Sequence, residues 1–494
     1  MNKKAFFDAA ASRGLGITYG DVRLVPGRST GRLEGADFHS WFSRHVGLNR
    51  PIVSAAMDTV TDSRMSIAIA SLGGMGIIPK SFSAEEQAWH VERVKNAMNG
   101  VSLNPIKVQV TATVAEVLEM CDEKGYDFRT FPVIDVNGKL VGMLTQNDIN
   151  WCDGNLEISV KEAMTSQLIT GKPGIDLEEA YSLMQPRKVN VLPLVDDQGG
   201  VAGLYVASDI RRARDKTALH NVDIHGQLRV GAAVDTGSEH VERALLLASK
   251  GVDVIVIDKS HGHSDPVIDM IKELKRQLPS TVDVVAGNIS TRQAAIDLIE
   301  AGADGIKVGQ GPGSICSTRI VAGIGVPQVT AVYDCAEAAR EVDETVPVNA
   351  DGGLAFEGDI PIALAAGAQS VMVGRMFAGT EEAPGVIEEY QGARYKRYRG
   401  MGSLSAMRES QGARDRYFES QLSSDAILPE GVDALVPYTG SLATIFNRCV
   451  SGIRKGMNYT GRFSVAELQK AEFIGLSEAG LSESRPHDLP IIRG

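Results

Sequence analysis

Short apolar runs that stop at glycine, asparagine or aspartate recur through two stretches of the chain. They are "PIVSAAMD" (51–58), "VDVIVIDKSHG" (252–262), "VDVVAGN" (282–288), "DGIKVGQG" (304–311), "VPVNADGG" (346–353) and "SVMVGR" (370–375). Runs of Val and Ile without polar alternation mark strands buried on both faces, as in parallel sheets. Between them lie amphipathic helical patterns such as "EHVERALLLASKG" (239–251) and "STRQAAIDLIEAG" (290–302). Alternation of this kind predicts an α/β fold, a (β/α)8 TIM barrel. A doubly wound open sheet is the alternative. No G-x-G-x-x-G follows the first strand, which argues against a dinucleotide-binding version of that sheet.

An internal repeat interrupts the pattern. "FPVIDVNGKLVGMLTQNDI" (131–149) matches "LPLVDDQGGVAGLYVASDI" (192–210), with Pro132, Gly142 and Asp148 aligned on Pro193, Gly203 and Asp209. Each copy reads as strand, turn, strand and a helix beginning at the aspartate, with a helical stretch upstream (113–125 and 176–188). Two copies are too few for a solenoid and fit a pair of half-domains. The expected organisation is a first barrel part at 1–101, an inserted module at 102–215 with copies at about 102–149 and 160–210, and the rest of the barrel at 216–494. A chain of 494 residues has the length for that division.

The net charge of −12 argues against a broad nucleic-acid surface but leaves room for a local anion pocket. The five cysteines form no C-x-x-C pair and no histidine lies at metal-ligand spacing, so neither a disulfide framework nor a zinc site is expected. No apolar run approaches the length of a membrane span and the N-terminus lacks a signal-peptide core. A cytoplasmic enzyme is expected.

In such a barrel the chemistry gathers at the C-terminal ends of the strands, with phosphate in the loops after the last two. Those strands end in "ADGG" (350–353) and "GRMFAG" (374–379). Gly352, Gly353 and Gly374 would let backbone amides approach an anion, and Arg375 would add a charge. The strand before them leads into "GPGSICSTR" (311–319), a loop that looks built for an anion yet holds Cys316. The residues alone leave Cys316 open as a reactive thiol, favoured by Ser314 and Thr318, or as a structural one. Cys121, Cys335 and Cys449 sit in helical patterns and read as core.

"KVGQGPGSICSTRIVAGIGVPQ", "DKSHGHS", "ADGG", "YRGMGS" and "DRYF" together resemble the IMP dehydrogenase / GMP reductase family, and the inserted repeat resembles a tandem CBS (Bateman) module. The resemblance implies oxidation of IMP to XMP with NAD+ through a thioimidate on Cys316, with hydrolysis following. Thr318 would assist, and Arg416 with Tyr417 would activate water. IMP would meet Met57, Ser314, Asp351, Gly353, Gly374, Arg375, Tyr398, Gly400, Met401, Gly402 and Glu430. Asp258, Ser260, Asn288 and Gly309 would lie on the nicotinamide side. Carbonyls of Gly311, Gly313 and Cys316 would bind K+, completed by Glu483 and Ser484 of a neighbouring subunit in a homotetramer or octamer. A flap at about 402–430 would move in after NADH leaves.

The family also implies a rival, GMP reductase, which uses GMP and NADPH and typically has a shorter flap without the Arg-Tyr pair. A nucleotide sensor with an inactive barrel is a further alternative. Three departures from the family stand out: Arg375 where Ser or Gly is common, Lys259 where Ser is common, and Ser317 for Thr. In the module, Thr145 and Asp148 match a nucleotide-binding Thr-x-x-Asp pattern for ATP or GTP, whereas the second copy has Val206 in place of the threonine.

Overall fold

A computed structural model describes residues 2–29, 35–98, 101–102, 105–123, 128–214, 219–409, 416 and 428–486. Eight parallel strands close into a barrel: β1 (Ile52–Ser54), β2 (Met75–Ile78), β3 (Val230–Val234), β4 (Val254–Asp258), β5 (Asp283–Ile289), β6 (Gly305–Val308), β7 (Val348–Asp351) and β8 (Ser370–Val373). They pair in chain order, and β8 closes on β1, with Val371 opposite Ile52. β4 and β5 are buried at every position, as expected of strands covered by helices outside and side chains inside.

The helices on the outside follow local rules. Asp62 and Thr291 cap the helices Ser63–Ser71 and Arg292–Glu300 by accepting from Met65 N and Ala294 N. The helix Asp265–Gln277 buries Val267, Met270, Ile271 and Leu274, one stripe at helical spacing. Each such side chain contributes about 1.5–3 kcal/mol when removed from water.

A two-stranded hairpin (Ser40–Trp41 with Gly47–Leu48) closes the N-terminal mouth of the barrel. Phe42 is fully buried there, beside Val285, Val53 and Met75 in one apolar cluster. The Phe42 carbonyl accepts from Asn349 Nδ2 at 2.9 Å, and His45 Nδ1 meets Asp283 Oδ1 at 2.8 Å. The functional end is thereby the opposite one, where the strands finish.

The second compact unit comprises Lys95–Ala218 and Ile224–Leu228. It holds two three-stranded sheets. One joins Val108–Gln109, Phe131–Ile134 and Leu140–Leu144; the other joins Val101–Ser102, Val201–Val206 and Val191–Val195. The two copies meet at Leu140 N, which donates to Gly199 O at 2.9 Å. The helices after the hairpins begin before the aspartates, at Gln146 and Ala207. Asp148 falls in the first turn because Thr145 is the cap: its hydroxyl accepts from Asp148 N, while Asp148 Oδ2 accepts from Thr145 N at 2.7 Å. Among the described residues no helix is long and apolar enough to cross a membrane.

Candidate active site

Cys316 lies in the loop after β6, half-buried, with Sγ 3.1 Å from Thr318 Oγ1. Thr318 donates in turn to Glu430 Oε2 at 2.5 Å. A thiol, a hydroxyl and a carboxylate therefore form one hydrogen-bonded line. Three stretches of backbone hold it. Ser317 N donates to Glu430 O at 2.8 Å, Val432 N to Ile315 O at 3.0 Å and Gly400 N to Val432 O at 3.0 Å. The packing is tight: a Cβ on Gly400 would meet Ile315 O at 3.1 Å, and one on Gly431 would meet the Gly402 carbonyl carbon at 3.2 Å.

Arg319 does not serve an anion. It is spent on its own loop, donating from Nε to Gln310 O at 3.0 Å and from Nη2 to Val326 O at 2.7 Å. The loop is pinned by carbonyls that it would otherwise leave unpaired.

An antiparallel sheet (Glu388–Tyr390, Ala393–Arg399, Asp433–Pro437) brings further residues to this rim. Arg399 clamps it to the loop after β1, with Nη2 2.6 Å and Nε 3.0 Å from Asp58 Oδ2. Although half-buried, Arg399 is held firmly cationic by Asp58 and Glu409. The clamp sets the buried Tyr398 hydroxyl 3.9 Å from Met57 Sδ. Burial pushes that phenol up, and nearby Ser314 pulls it the other way. Gly374 fits beneath, since a Cβ there would stand 2.9 Å from Tyr398 OH. Met401 packs with Met57, Leu404, Ala406 and Met407. Gly353, at φ +81, runs between Pro312 and Tyr19, and Arg375 is exposed beside Gly374.

On the other side of the mouth, the fully buried Lys307 of β6 is a hub. Its Nζ lies 2.9 Å from Asp258 Oδ1 and 2.7 Å from Asp351 Oδ2, and it also donates to Asn288 Oδ1. Asn288 Nδ2 donates to Gly309 O at 2.6 Å and Asp351 Oδ2 at 2.9 Å. Gly309, at φ +150, has no space for a side chain, because a Cβ would fall 2.1 Å from Asp351 O. Arg416 forms an ion pair with Asp258 Oδ2, and its carbonyl accepts from Ser260 N at 3.2 Å and Ser260 Oγ at 3.0 Å. Gln310 adds a brace, with Nε2 2.8 Å from His261 Nδ1 and Oε1 accepting from Ser290 Oγ at 2.5 Å.

Of the expected residues, the structure thus gathers Cys316, Thr318, Glu430, Gly400, Met401 and Gly402 on one part of the rim. Met57, Ser314, Tyr398 and Gly374 share another, and Asp258, Ser260, Asn288, Gly309, Asp351 and Arg416 a third. Gly311 and Gly313 flank the cysteine turn, in which Gly313 O accepts from Cys316 N at 3.1 Å. Glu483 ends the helix Glu478–Glu483 and Ser484 caps it, with the Ser484 hydroxyl donating to Gly480 O at 2.7 Å. Tyr417 and most of the flap lie outside the described residues.

A family profile described as "IMP dehydrogenase / GMP reductase domain" matches residues 16–487. The chain belongs to the IMP dehydrogenase / GMP reductase family. It is 46% identical over 481 residues to inosine-5'-monophosphate dehydrogenase of Aquifex aeolicus, spanning 97% of this chain and 96% of that protein. It is 44% identical over 480 residues to the Pasteurella multocida protein of the same name, spanning 97% of each. Among solved structures, a cysteine-to-alanine variant of Trypanosoma brucei GMP reductase in complex with guanosine 5'-monophosphate matches with a TM-score of 0.75 at 36% identity, covering 98% of this chain and all of that one.

Lys307, Gln310 and Arg399 join the site without having been anticipated from sequence. Lys307 left a signal, a lone cation in the apolar run "DGIKVGQG". A lysine inside a strand buried on both faces needs a carboxylate partner.

Burial separates the thiols. Cys121, Cys335 and Cys449 are buried, whereas Cys316 and Cys152 are partly open. Burial pushes Cys449 up to about 12 and Cys335 up as well. Titration of the native chain with a thiol reagent is expected to modify Cys316 and Cys152 at neutral pH, and the other three only after unfolding. Peptide mapping of the labelled sites reads the outcome.

Proposed function

We infer that the chain oxidises IMP to XMP with NAD+ and water, the oxidation that leads towards GMP. The observation that carries this reading is the Cys316–Thr318–Glu430 line on the barrel rim facing Asp258, where Arg416 is docked. The Cys316 sulfur adds to C2 of the purine and hydride leaves that carbon, giving a thioimidate. Water then adds to C2, and the bond to sulfur breaks to release XMP. NAD+, when bound, accepts the hydride. Thr318, hydrogen-bonded to both Cys316 and Glu430, offers a path for the proton, and Arg416 with Tyr417 activates the water.

The residues fit both ligands. Asp351 takes the ribose hydroxyls. Ser314, Gly353, Gly374, Arg375 and Tyr398 take the phosphate, and Met57, Gly400, Met401, Gly402 and Glu430 border the base. Asp258, Ser260, Asn288 and Gly309 serve the nicotinamide side. Ser260 donates both its N–H and its hydroxyl to Arg416 in this structure, so arginine and cofactor compete for the same groups. This competition supports two successive half-reactions on one site. Turn carbonyls at Gly311, Gly313 and Cys316, with Glu483 and Ser484 of a neighbouring subunit, suit K+, which accepts carbonyls in place of its water shell. That site implies a homotetramer, and paired modules would extend it to an octamer.

The second unit reads as a tandem CBS module able to take ATP or GTP at the Thr145–Asp148 copy. Calorimetry with each nucleotide tests it, and absence of heat in both cases sinks it. For the barrel, NADH and XMP formation from IMP and NAD+ is the direct assay. The Trypanosoma brucei likeness keeps GMP reductase as a second reading. Formation of IMP and ammonia from GMP and NADPH, with no NADH from IMP, would favour it.

A further inference from the structure

Between the ends of β2, β3 and β4 lies buried charge that the chemistry above does not use. Lys80, Asp235 and Lys259 are 5%, 1% and 5% exposed. Asp235, just past β3, holds Lys80 Nζ on one carboxylate oxygen and Lys259 Nζ on the other. Lys80 also donates to the main-chain carbonyl of Asp258 at 2.8 Å. Asp258 in turn carries Lys307 on Oδ1 and Arg416 on Oδ2, and Lys307 continues to Asp351.

Without Arg416 the charges balance: the ammonium groups of Lys80, Lys259 and Lys307 face the carboxylates of Asp235, Asp258 and Asp351. Arg416 adds one cation to this largely buried set. A buried excess of charge is costly, and the group that sheds its proton most readily relieves it. Lysine does so far more readily than arginine.

We propose that the proton on Lys80 and the Arg416–Asp258 ion pair exclude one another, with Lys259, anchored on Asp235, enforcing the exclusion. The surroundings of Lys80 support this. Burial brings it down to about 7 against the pull of Asp235, and Arg416 and Lys259 both push in the same direction as burial. His240 and Arg243, from the helix Ser238–Ser249, are further titratable groups on this side, with Glu239 and Glu85 near them. Burial takes His240 down to about 4, so it adds no charge near neutrality. Arg243 turns its guanidinium to the Lys80 and Phe82 carbonyls and to Gln87.

The sign follows. Below the Lys80 titration the ammonium repels Arg416 from Asp258; above it the amine does not. Seating Arg416 therefore releases a proton, and the half-reaction that needs Arg416 gains with rising pH. Lys80 and Lys259 are positioning residues, acting on the arginine through Asp258 and Asp235.

The inference rests on the dehydrogenase reading, and one experiment separates the two. The full chain is mixed with IMP and NAD+ over pH 6–9, and NADH formation and XMP release are followed separately in a single turnover. XMP release is expected to climb about tenfold per pH unit on the acid side of a midpoint at or above about 7, since seated Arg416 itself holds Lys80 down. Lys259→Ser removes a cation from Lys80, so the midpoint is expected to move up by about one unit. Lys80→Met is expected to abolish that limb while NADH formation keeps its own profile. An unmoved midpoint in Lys259→Ser overturns the proposal, and that variant decides alone if Lys80→Met fails to fold. Absence of NADH from the parent chain would instead overturn the dehydrogenase reading.

Discussion

With alanine in place of Cys316, NADH formation from IMP and NAD+ is expected to fall by about 10⁴-fold or more. The reason is covalent. Without the sulfur no bond forms at C2, so the carbon that must release hydride never becomes tetrahedral. Thr318 and Glu430 remain hydrogen-bonded to each other at 2.5 Å, but nothing is left for them to relay to. Folding is expected to change little, within about 1 kcal/mol, because the side chain is half-buried in a turn whose backbone bonds do not involve it. Spectroscopic assay of NADH beside a thermal melt separates the two effects. Turnover at the parent rate would remove Cys316 from the mechanism.

Arg416→Ala is expected to act on the other half. The hydride step keeps its rate within about tenfold, while XMP release slows by about 10²–10⁴-fold, the range for losing a group that handles the proton of water. A burst of NADH, equal to the sites present, would then be followed by a slow phase. Mass spectrometry of enzyme quenched in that phase should find the purine nucleotide on Cys316. Asp258 keeps Lys307 on its other oxygen at 2.9 Å, so the cofactor side retains its frame. Release of XMP at the normal rate, without the adduct, would assign water activation elsewhere.

The barrel was legible because most of its strands are continuous apolar runs, and the rim residues because they sit where those runs end. β2 and β3 escaped that signal. "GGMGIIPK" and "RVGAAVD" are diluted with glycine and alanine, small residues that let neighbours pack inward but carry little hydropathy. A Cβ on Gly76 would in fact meet Ser66 Oγ at 2.2 Å, and one on Gly231 would meet Ile77 Cδ1 at 2.4 Å. Lys80 and Asp235 follow those two strands, so the ion pair was missed with the strands that carry it. Arg319 shows a different limit of composition. An arginine after a Gly/Ser loop has the composition of an anion site, and only the path of the chain shows carbonyls within its reach. The helix after the first hairpin starts before Asp148 because the Thr145 side chain, rather than the acid itself, caps its first turn.

The seam of the barrel has a consequence for how the protein comes into being. β1 and β2 leave the ribosome first, yet β2 pairs with β3 only beyond the entire second unit, Gly76 meeting Val230, and β1 waits for β8, Ile52 meeting Val371. Until β3 is synthesised, β1 and β2 can form no more than a two-stranded fragment with both edges bare, and the β1 edge stays open until β8 is made. Long-range pairings of this kind are slow to form and exposed to misassembly. The second unit has its own apolar clusters and mostly local pairings, so it can gain order while the barrel is still an open arc. The strand that frames Met57 thus depends on the last barrel strand to be enclosed, and the one before Lys80 on the strand that follows the second unit.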